Sequence, residues 1–343
     1  STPLSIEKMA DNCKKRIQNG QIFSMASNEI LVATNARVMT KNDHFSSATM
    51  SSYMPSAAIP ATEPHIFGAA MKVWRRAWHN EKLARQLLLI SGESASGKSE
   101  MFKQAWRCMA QLKTPDDAIG PTPSKPTTMT IDNAVEDAMF ILACFGSVST
   151  PLNGDSSRCA KLLSLHFKRE GGALIGCSLK SPVLTLVDGI GLYSGDEPEK
   201  TAWFRVFHHM LRGSNTQERI TYELDGKNFT LSGISNAEGS VFCAFRQKDH
   251  AIHFSRLREA MGRLKLPRTV LDDFFRFIAG LLHLSHIQLS GDESVNIEDK
   301  SAMPILSKLL GLDPENFEEG LCTKQKKFGN KLETLPLSRE EAV

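Results

Sequence analysis

Gly92-Glu93-Ser94-Ala95-Ser96-Gly97-Lys98-Ser99 is a complete G-x-x-x-x-G-K-[ST] phosphate-binding pattern. Before it, Gln86-Leu87-Leu88-Leu89-Ile90 is an apolar run bounded by Ser91-Gly92, the length of a buried strand. After it, Met101, Ala105, Cys108, Met109 and Leu112 recur at helical spacing. In a strand–loop–helix context the amides of residues 92–99 wrap phosphate oxygens, and the helix N-terminus adds partial positive charge. Lys98 then reaches the β- and γ-phosphates, and the Ser99 hydroxyl ligates Mg²⁺. The competing reading is a glycine turn that matches by chance. It leaves the flanking strand and helix signals unexplained, so the stretch is read as a nucleotide site.

Composition bounds the surroundings. A chain of 343 residues has room for two or three domain-sized units, and 41% hydrophobic content suffices for a sizeable core. Lys and Arg number 41 against 38 Asp and Glu, so the net charge of +3 gives no global signal for nucleic acid or an anionic membrane. The seven cysteines carry no C-x-x-C spacing, which fits reduced thiols in a cytoplasmic setting. No apolar run is long enough for a membrane span.

Residues 5–19 read as a helix capped by Ser5, with Ile6, Met9, Cys13 and Ile17 in a stripe and Gly20 as the stop. Residues 21–25 and 30–34 read as two strands around Ser27-Asn28-Glu29. Residues 36–63, rich in Ser, Ala, Thr and Pro, read mostly as surface loop. A helix is expected from about His65 to Ala84 and another over 131–145, with loops at 114–128 and 147–152. The next stretch, Asn153-Gly154-Asp155-Ser156-Ser157-Arg158, gathers hydroxyls, an amide and a guanidinium. Those groups suit a γ-phosphate sensor: a Ser hydroxyl for Mg²⁺, and Asn and Arg for phosphate or a carboxylate. A solvated polar turn is the plainer alternative.

These residues carry a family resemblance. Residues 92–100, GESASGKSE, resemble the myosin phosphate-loop pattern GESGAGKTE, and residues 153–161, NGDSSRCAK, resemble the switch I pattern NxNSSRFGK. Residues 63–70 are similar to the upstream PPHIFAIA stretch, 204–213 to FHIFYQLLAG, 277–287 to AAILHLGNI and 309–321 to LLGVDPEELEKAL. The blocks stand in myosin order at comparable spacing.

The resemblance implies a P-loop α/β fold: a myosin-head-like twisted central sheet, mostly parallel, with flanking helices and a largely helical upper lobe. Residues 1–130 would form the nucleotide-binding part, and residues 131–343 the switch I and upper-lobe part. The implied activity is Mg²⁺-dependent ATP hydrolysis, completed by a second half of the head and coupled to movement along an actin filament. The implied cofactors are ATP and Mg²⁺, and the implied location is cytoskeletal. Light-chain and cargo contacts fall to a lever and tail outside this chain. Carried over by position, Lys98 and Ser99 serve the phosphates and Mg²⁺. Ser157 is a second Mg²⁺ ligand, Asn153 and Ser156 lie near the phosphates, and Arg158 pairs with a switch II glutamate. Asn35 begins the purine-binding loop and Phe45 lies at its adenine-side aromatic, although Phe45 equally suits a local core contact.

The departures are specific. Ala95 replaces a glycine, at a cost of about 1 kcal/mol if the backbone there needs positive φ. Asp155 brings a negative charge, Cys159-Ala160 replace Phe-Gly, and Ala36-Arg37 replace the proline and aromatic of the purine loop. No D-I-x-G-F-E switch II occurs in the chain. The nearest pattern, Leu184-Thr185-Leu186-Val187-Asp188-Gly189-Ile190-Gly191, would make Asp188 a Walker B carboxylate in a different kind of P-loop ATPase. A pseudomotor, binding nucleotide or scaffolding without hydrolysis, is the other alternative. The start at Ser1 and the box Ser338-x-x-Glu341 near the end lead us to expect a longer parent polypeptide. His208-His209 and His283-x-x-His286 lie in apolar helical stretches and read as core rather than metal ligands. Residues 324–331 read as a basic solvated segment with a hairpin turn.

Overall fold

The computed structural model describes residues 5–35, 43–57, 61–79, 84–112, 130–150, 153–181, 204–225, 229, 247–285, 287–328 and 331–342. In chain order the helices are α1 (Ile6–Gln18), α2 (Ser47–Tyr53), α3 (Ile66–His79), α4 (Lys98–Ala110), α5 (Ile131–Gly146) and α6 (Arg205–Gly213). They continue with α7 (Thr216–Thr221), α8 (Gln247–Arg263), α9 (Arg268–Leu284), α10 (Met303–Leu310), α11 (Pro314–Cys322) and α12 (Arg339–Ala342). The strands are β1 (Phe23–Ser27), β2 (Ile30–Ala33), β3 (Ser147–Thr150), β4 (Asn153–Ser157) and β5 (Leu162–Phe167). They continue with β6 (Leu174–Lys180), β7 (Leu289–Ser290), β8 (Asn296–Ile297), β9 (Thr323–Phe328) and β10 (Lys331–Pro336). Among the described residues every sheet is a two-stranded antiparallel pair, so the architecture is mixed α/β with small sheets.

The chain divides into two compact units. The first takes Ser1–Val135 and Lys161–Lys180. Its entry helix begins where Ser5 Oγ accepts the Lys8 amide, and Arg16 Nε then donates to the Phe23 carbonyl at 2.8 Å. That bond fixes the β1–β2 hairpin to α1. The core is the face of α3 carrying Phe67, Ala70, Met71 and Trp74, packed on Ala105, Cys108 and Met109 of α4. The β5–β6 hairpin closes one side with Leu165 and Phe167. Trp74 Nε1 donates to the Gly172 carbonyl at 2.9 Å. Gly172 has φ +67, and a Cβ there would lie 2.5 Å from the indole, so only glycine fits the turn. Trp78 stacks on Trp74 and donates to the Arg169 carbonyl.

Two expectations for this unit are corrected. The Ser-rich stretch contains α2, capped by Ser46 Oγ on the Thr49 amide and burying Met50 and Tyr53. Serine and threonine pointed to loop, but two apolar residues three apart, seated on the α3 core, hold a two-turn helix. Residues 86–90 form no strand: Leu87 is 73% exposed and Leu89 76%. A strand exists through its hydrogen-bonded neighbour, and no sheet among the described residues includes this run.

The second unit takes Glu136–Ala160 and Ser181–Val343. Its core joins Val206, Phe207 and Met210 of α6 to Phe254 and Leu257 of α8, with Phe275, Ile278 and Leu282 of α9 beneath. Residues 147–150, expected as loop, are β3, which pairs with β4 in the register Ser147↔Ser157 and Val148↔Ser156. Backbone pairing overrides polar composition here, because buried Val148 anchors the pair and bridges to Phe204. The basic segment near the end is the β9–β10 hairpin, with Phe328↔Lys331 at its turn end. Glu341 closes the expected box by accepting the Ser338 amide.

Gly213 of α6 lies close against α8. A Cβ there would lie 2.5 Å from Phe254 Cβ, 3.1 Å from the His250 carbonyl and 3.2 Å from Ala251 Cα. The obstructing atoms are backbone or next to it, so α8 itself must retreat. Gly213→Ala is expected to destabilise the chain by about 2 kcal/mol in urea unfolding, the overpacking range. An unchanged midpoint would refute this closeness.

Candidate nucleotide site

Residues 92–99 form a tight turn that leads into α4. Gly97 at φ +96 is the N-cap, a left-handed position with no side-chain cap bond. Ala95, at φ +62, adopts the same left-handed region without being glycine, so the cost foreseen from its Cβ is present. Ser96 N donates to the Glu93 carbonyl at 3.2 Å, and Lys98 Nζ donates to that same oxygen at 2.6 Å. An amide and an ammonium thus converge on one carbonyl oxygen, and both are donors of the kind a phosphate oxygen accepts. A Cβ at Gly92 would lie 2.7 Å from Ser96 Oγ, so that glycine lets the loop close on itself. Ser94 and Ser99 lie exposed on the rim. This cradle and donor set fit a nucleotide's phosphates, with the Ser99 hydroxyl available to Mg²⁺.

Asn35 meets this loop directly. Its Nδ2 donates to the Ala95 carbonyl at 2.9 Å. Phe45 packs edge-on against Phe23, His65 and Phe67, the local core contact that was the alternative to an adenine-side role. His65, which motif reading passed over, orders this corner: its Nδ1 accepts the Phe67 amide and its Nε2 donates to the His44 carbonyl. The bond at Nδ1 needs the neutral ring, and burial lowers its pKa to about 4.

The switch-like residues lie in the second unit, on the β3–β4 hairpin. Ser156 is buried, and Ser157 Oγ donates to the Cys159 carbonyl at 3.2 Å. The Arg158 amide donates to the Gly146 carbonyl at 2.6 Å. Arg158 Nε is buried with no hydrogen-bond partner among the described residues. Asn153 begins β4. Cys159 packs over Gly146, where a Cβ would approach its sulfur to 2.7 Å. The phosphate loop, Asn35 and Phe45 therefore share one compact unit, while Asn153, Ser156, Ser157 and Arg158 belong to the other.

Asp188 and its flanking stretch, Ala36-Arg37 and His286 lie outside the described residues. No three His, Cys, Asp or Glu side chains among the described residues are grouped to hold a metal ion. No helix there is long and apolar enough to cross a membrane. The six described cysteines are free thiols.

A family model described as "Myosin head (motor domain)" matches residues 2–343. Myosin-4 of Saccharomyces cerevisiae is 27% identical over 315 residues, covering 91% of this chain and 20% of that protein. Myosin-A of Plasmodium falciparum (isolate 3D7) is 25% identical over 329 residues, 93% of this chain and 37% of that protein. Myosin-M heavy chain of Dictyostelium discoideum is 22% identical over 353 residues, 96% of this chain and 20% of that protein. The chain thus spans well under half the length of these relatives.

Proposed function

We propose, since this chain belongs to the myosin head (motor domain) family, that it is the ATP-binding part of an actin-based cytoskeletal motor. The whole protein would couple Mg·ATP hydrolysis to movement along the filament, and a twisted central sheet would form the frame of the complete head. The observation that carries this reading is the convergence of Lys98 Nζ and the Ser96 amide on one carbonyl oxygen inside a left-handed glycine turn. Bound Mg²⁺ supplies charge neutralisation at the phosphate oxygens. By the family resemblance Lys98 would hold the β- and γ-phosphate oxygens, the amides of the loop would orient them, and the Ser99 hydroxyl would take the cation, with Ser157 the second ligand that the resemblance implies. The resemblance would put Asn153 and Ser156 near the γ-phosphate. Arg158 forms an ion pair with a switch II glutamate from the remainder of the head.

Lys98→Ala is expected to weaken Mg·ATP binding about thirtyfold, the loss of one charge-assisted contact. Titration calorimetry on parent and variant measures it, with far-UV circular dichroism unchanged. A parent chain that binds no Mg·ATP, or a variant that binds as tightly as the parent, would overturn the nucleotide reading. Ala95 at positive φ favours a second reading, a pseudomotor that binds nucleotide without turnover. Actin-stimulated phosphate release by the longer head separates the two: turnover supports the motor, and tight binding without release supports the pseudomotor.

A further inference from the structure

We propose that Asn35 is a positioning residue of the phosphate loop, its side-chain amide holding the Ala95 peptide in the left-handed turn. This inference rests on the nucleotide-binding reading of residues 92–99 and gives that site a support that lies outside its motif.

The support is rigid on the Asn35 side. The β1–β2 hairpin pairs Phe23 with Ala33, and the Thr34 amide extends the pairing by donating to the Ile22 carbonyl at 2.9 Å. Arg16 ties the base of the hairpin to α1 through the Phe23 carbonyl. Asn35, the next residue, is thus presented from fixed backbone. Its Nδ2 donates across 60 residues of sequence to the Ala95 carbonyl at 2.9 Å.

On the loop side, the receiving peptide is the one that needs help. Ala95 sits at φ +62, where an L side chain is disfavoured and glycine is not. The Ala95 carbonyl and the Ser96 amide belong to one planar peptide and point in opposite directions. Anchoring the carbonyl outward therefore aims the amide inward. There Ser96 N meets the Glu93 oxygen that Lys98 Nζ also reaches. One hydrogen bond outside the loop sets the direction of a donor inside it, at the position where the sequence has lost a glycine.

The test uses the 343-residue chain with Asn35→Ala, Ala95→Gly and the double substitution. Its probes are Mg·pyrophosphate, Mg·ATP and amide exchange at residues 94–101. Asn35 is exposed, so its replacement leaves the core intact. Asn35→Ala is expected to weaken Mg·pyrophosphate and Mg·ATP by the same factor, about fivefold, and to speed loop exchange similarly. In the Ala95→Gly background the same replacement should change each less than twofold, because glycine keeps the turn unaided. Loss of ATP affinity with pyrophosphate unchanged would make Asn35 a base contact and overturn the inference. Unchanged exchange, or an undiminished loss beside Gly at 95, would overturn it too. If the parent binds neither probe, the nucleotide reading falls, and the exchange data alone decide whether the tie between Asn35 and Ala95 exists.

Discussion

Between pH 7 and pH 5 the α6–α8 packing is expected to lose about 4 kcal/mol, roughly 2 from each of two histidines. His209 Nδ1 and His250 Nδ1 lie 3.0 Å apart in the core of the second unit. One ring must offer a bare nitrogen to the other's N–H, so the contact fails once both rings carry two protons. Burial holds His250 down to about 4, aided by the positive charges of Arg212 and Arg205 and by His253, with Asp249 opposing. Burial lowers His209 further, assisted by Arg205, His250, His253 and His208. Unfolded imidazoles bind protons near pH 6.5, so below that value the unfolded chain gains protons that the folded core refuses. The stabilisation is fully present above pH 6.5 and drains as pH falls toward 4. Urea midpoints at pH 7, 6 and 5 measure it, and His250→Gln should flatten the slope by about half. A midpoint that does not move over this range would rule out the buried neutral pair. His65 gives the first unit a smaller dependence of the same sign.

Arg263→Ala is expected to cost about 3 kcal/mol, for a different reason. Asp137 on α5 is only 5% exposed, and the Arg263 guanidinium at the end of α8 grips it through both oxygens at 2.7 and 2.8 Å. Removing the arginine leaves a buried carboxylate without its cation, which costs about 3–5 kcal/mol. The lower figure applies because Arg263 is itself half-exposed and water screens the pair. Adding Asp137→Asn to the variant should restore most of the loss, since the residual charge is then gone. Lysine at 263 would not substitute fully, because it lacks the two-pronged donor geometry. Chemical unfolding of the three variants reads the result. A single variant within 0.5 kcal/mol of the parent, a margin typical of surface changes, would show that the pair contributes nothing.

Local signals made much of this legible in the sequence. Ser5 and Gly20 bracket α1, the 92–99 pattern sets the start of α4, and turn residues locate the β1–β2 and β9–β10 hairpins. The costly φ of Ala95 was foreseeable from a single alanine in a glycine position. Tertiary facts were not. The α2 helix is held by burial of Met50 and Tyr53, which Ser and Thr content conceals. An unbroken apolar run at 86–90 carries no information about which strand would pair with it. The contacts of Asn35 with Ala95 and of His209 with His250 span 60 and 41 residues, distances at which residue spacing has no geometric meaning.

The first compact unit is built from Ser1–Val135 and a later return, Lys161–Lys180. That arrangement imposes an order of synthesis. A ribosome delivers α3, the phosphate loop and α4 well before the hairpin carrying Leu165, Phe167 and Gly172. In the interval the Trp74 indole faces solvent, without the carbonyl that later accepts its proton. The first unit therefore cannot finish folding as it emerges. It must wait, partly open, while the intervening residues 136–160 are synthesised, an interval in which a chaperone that shields the exposed face of α3 would find its substrate.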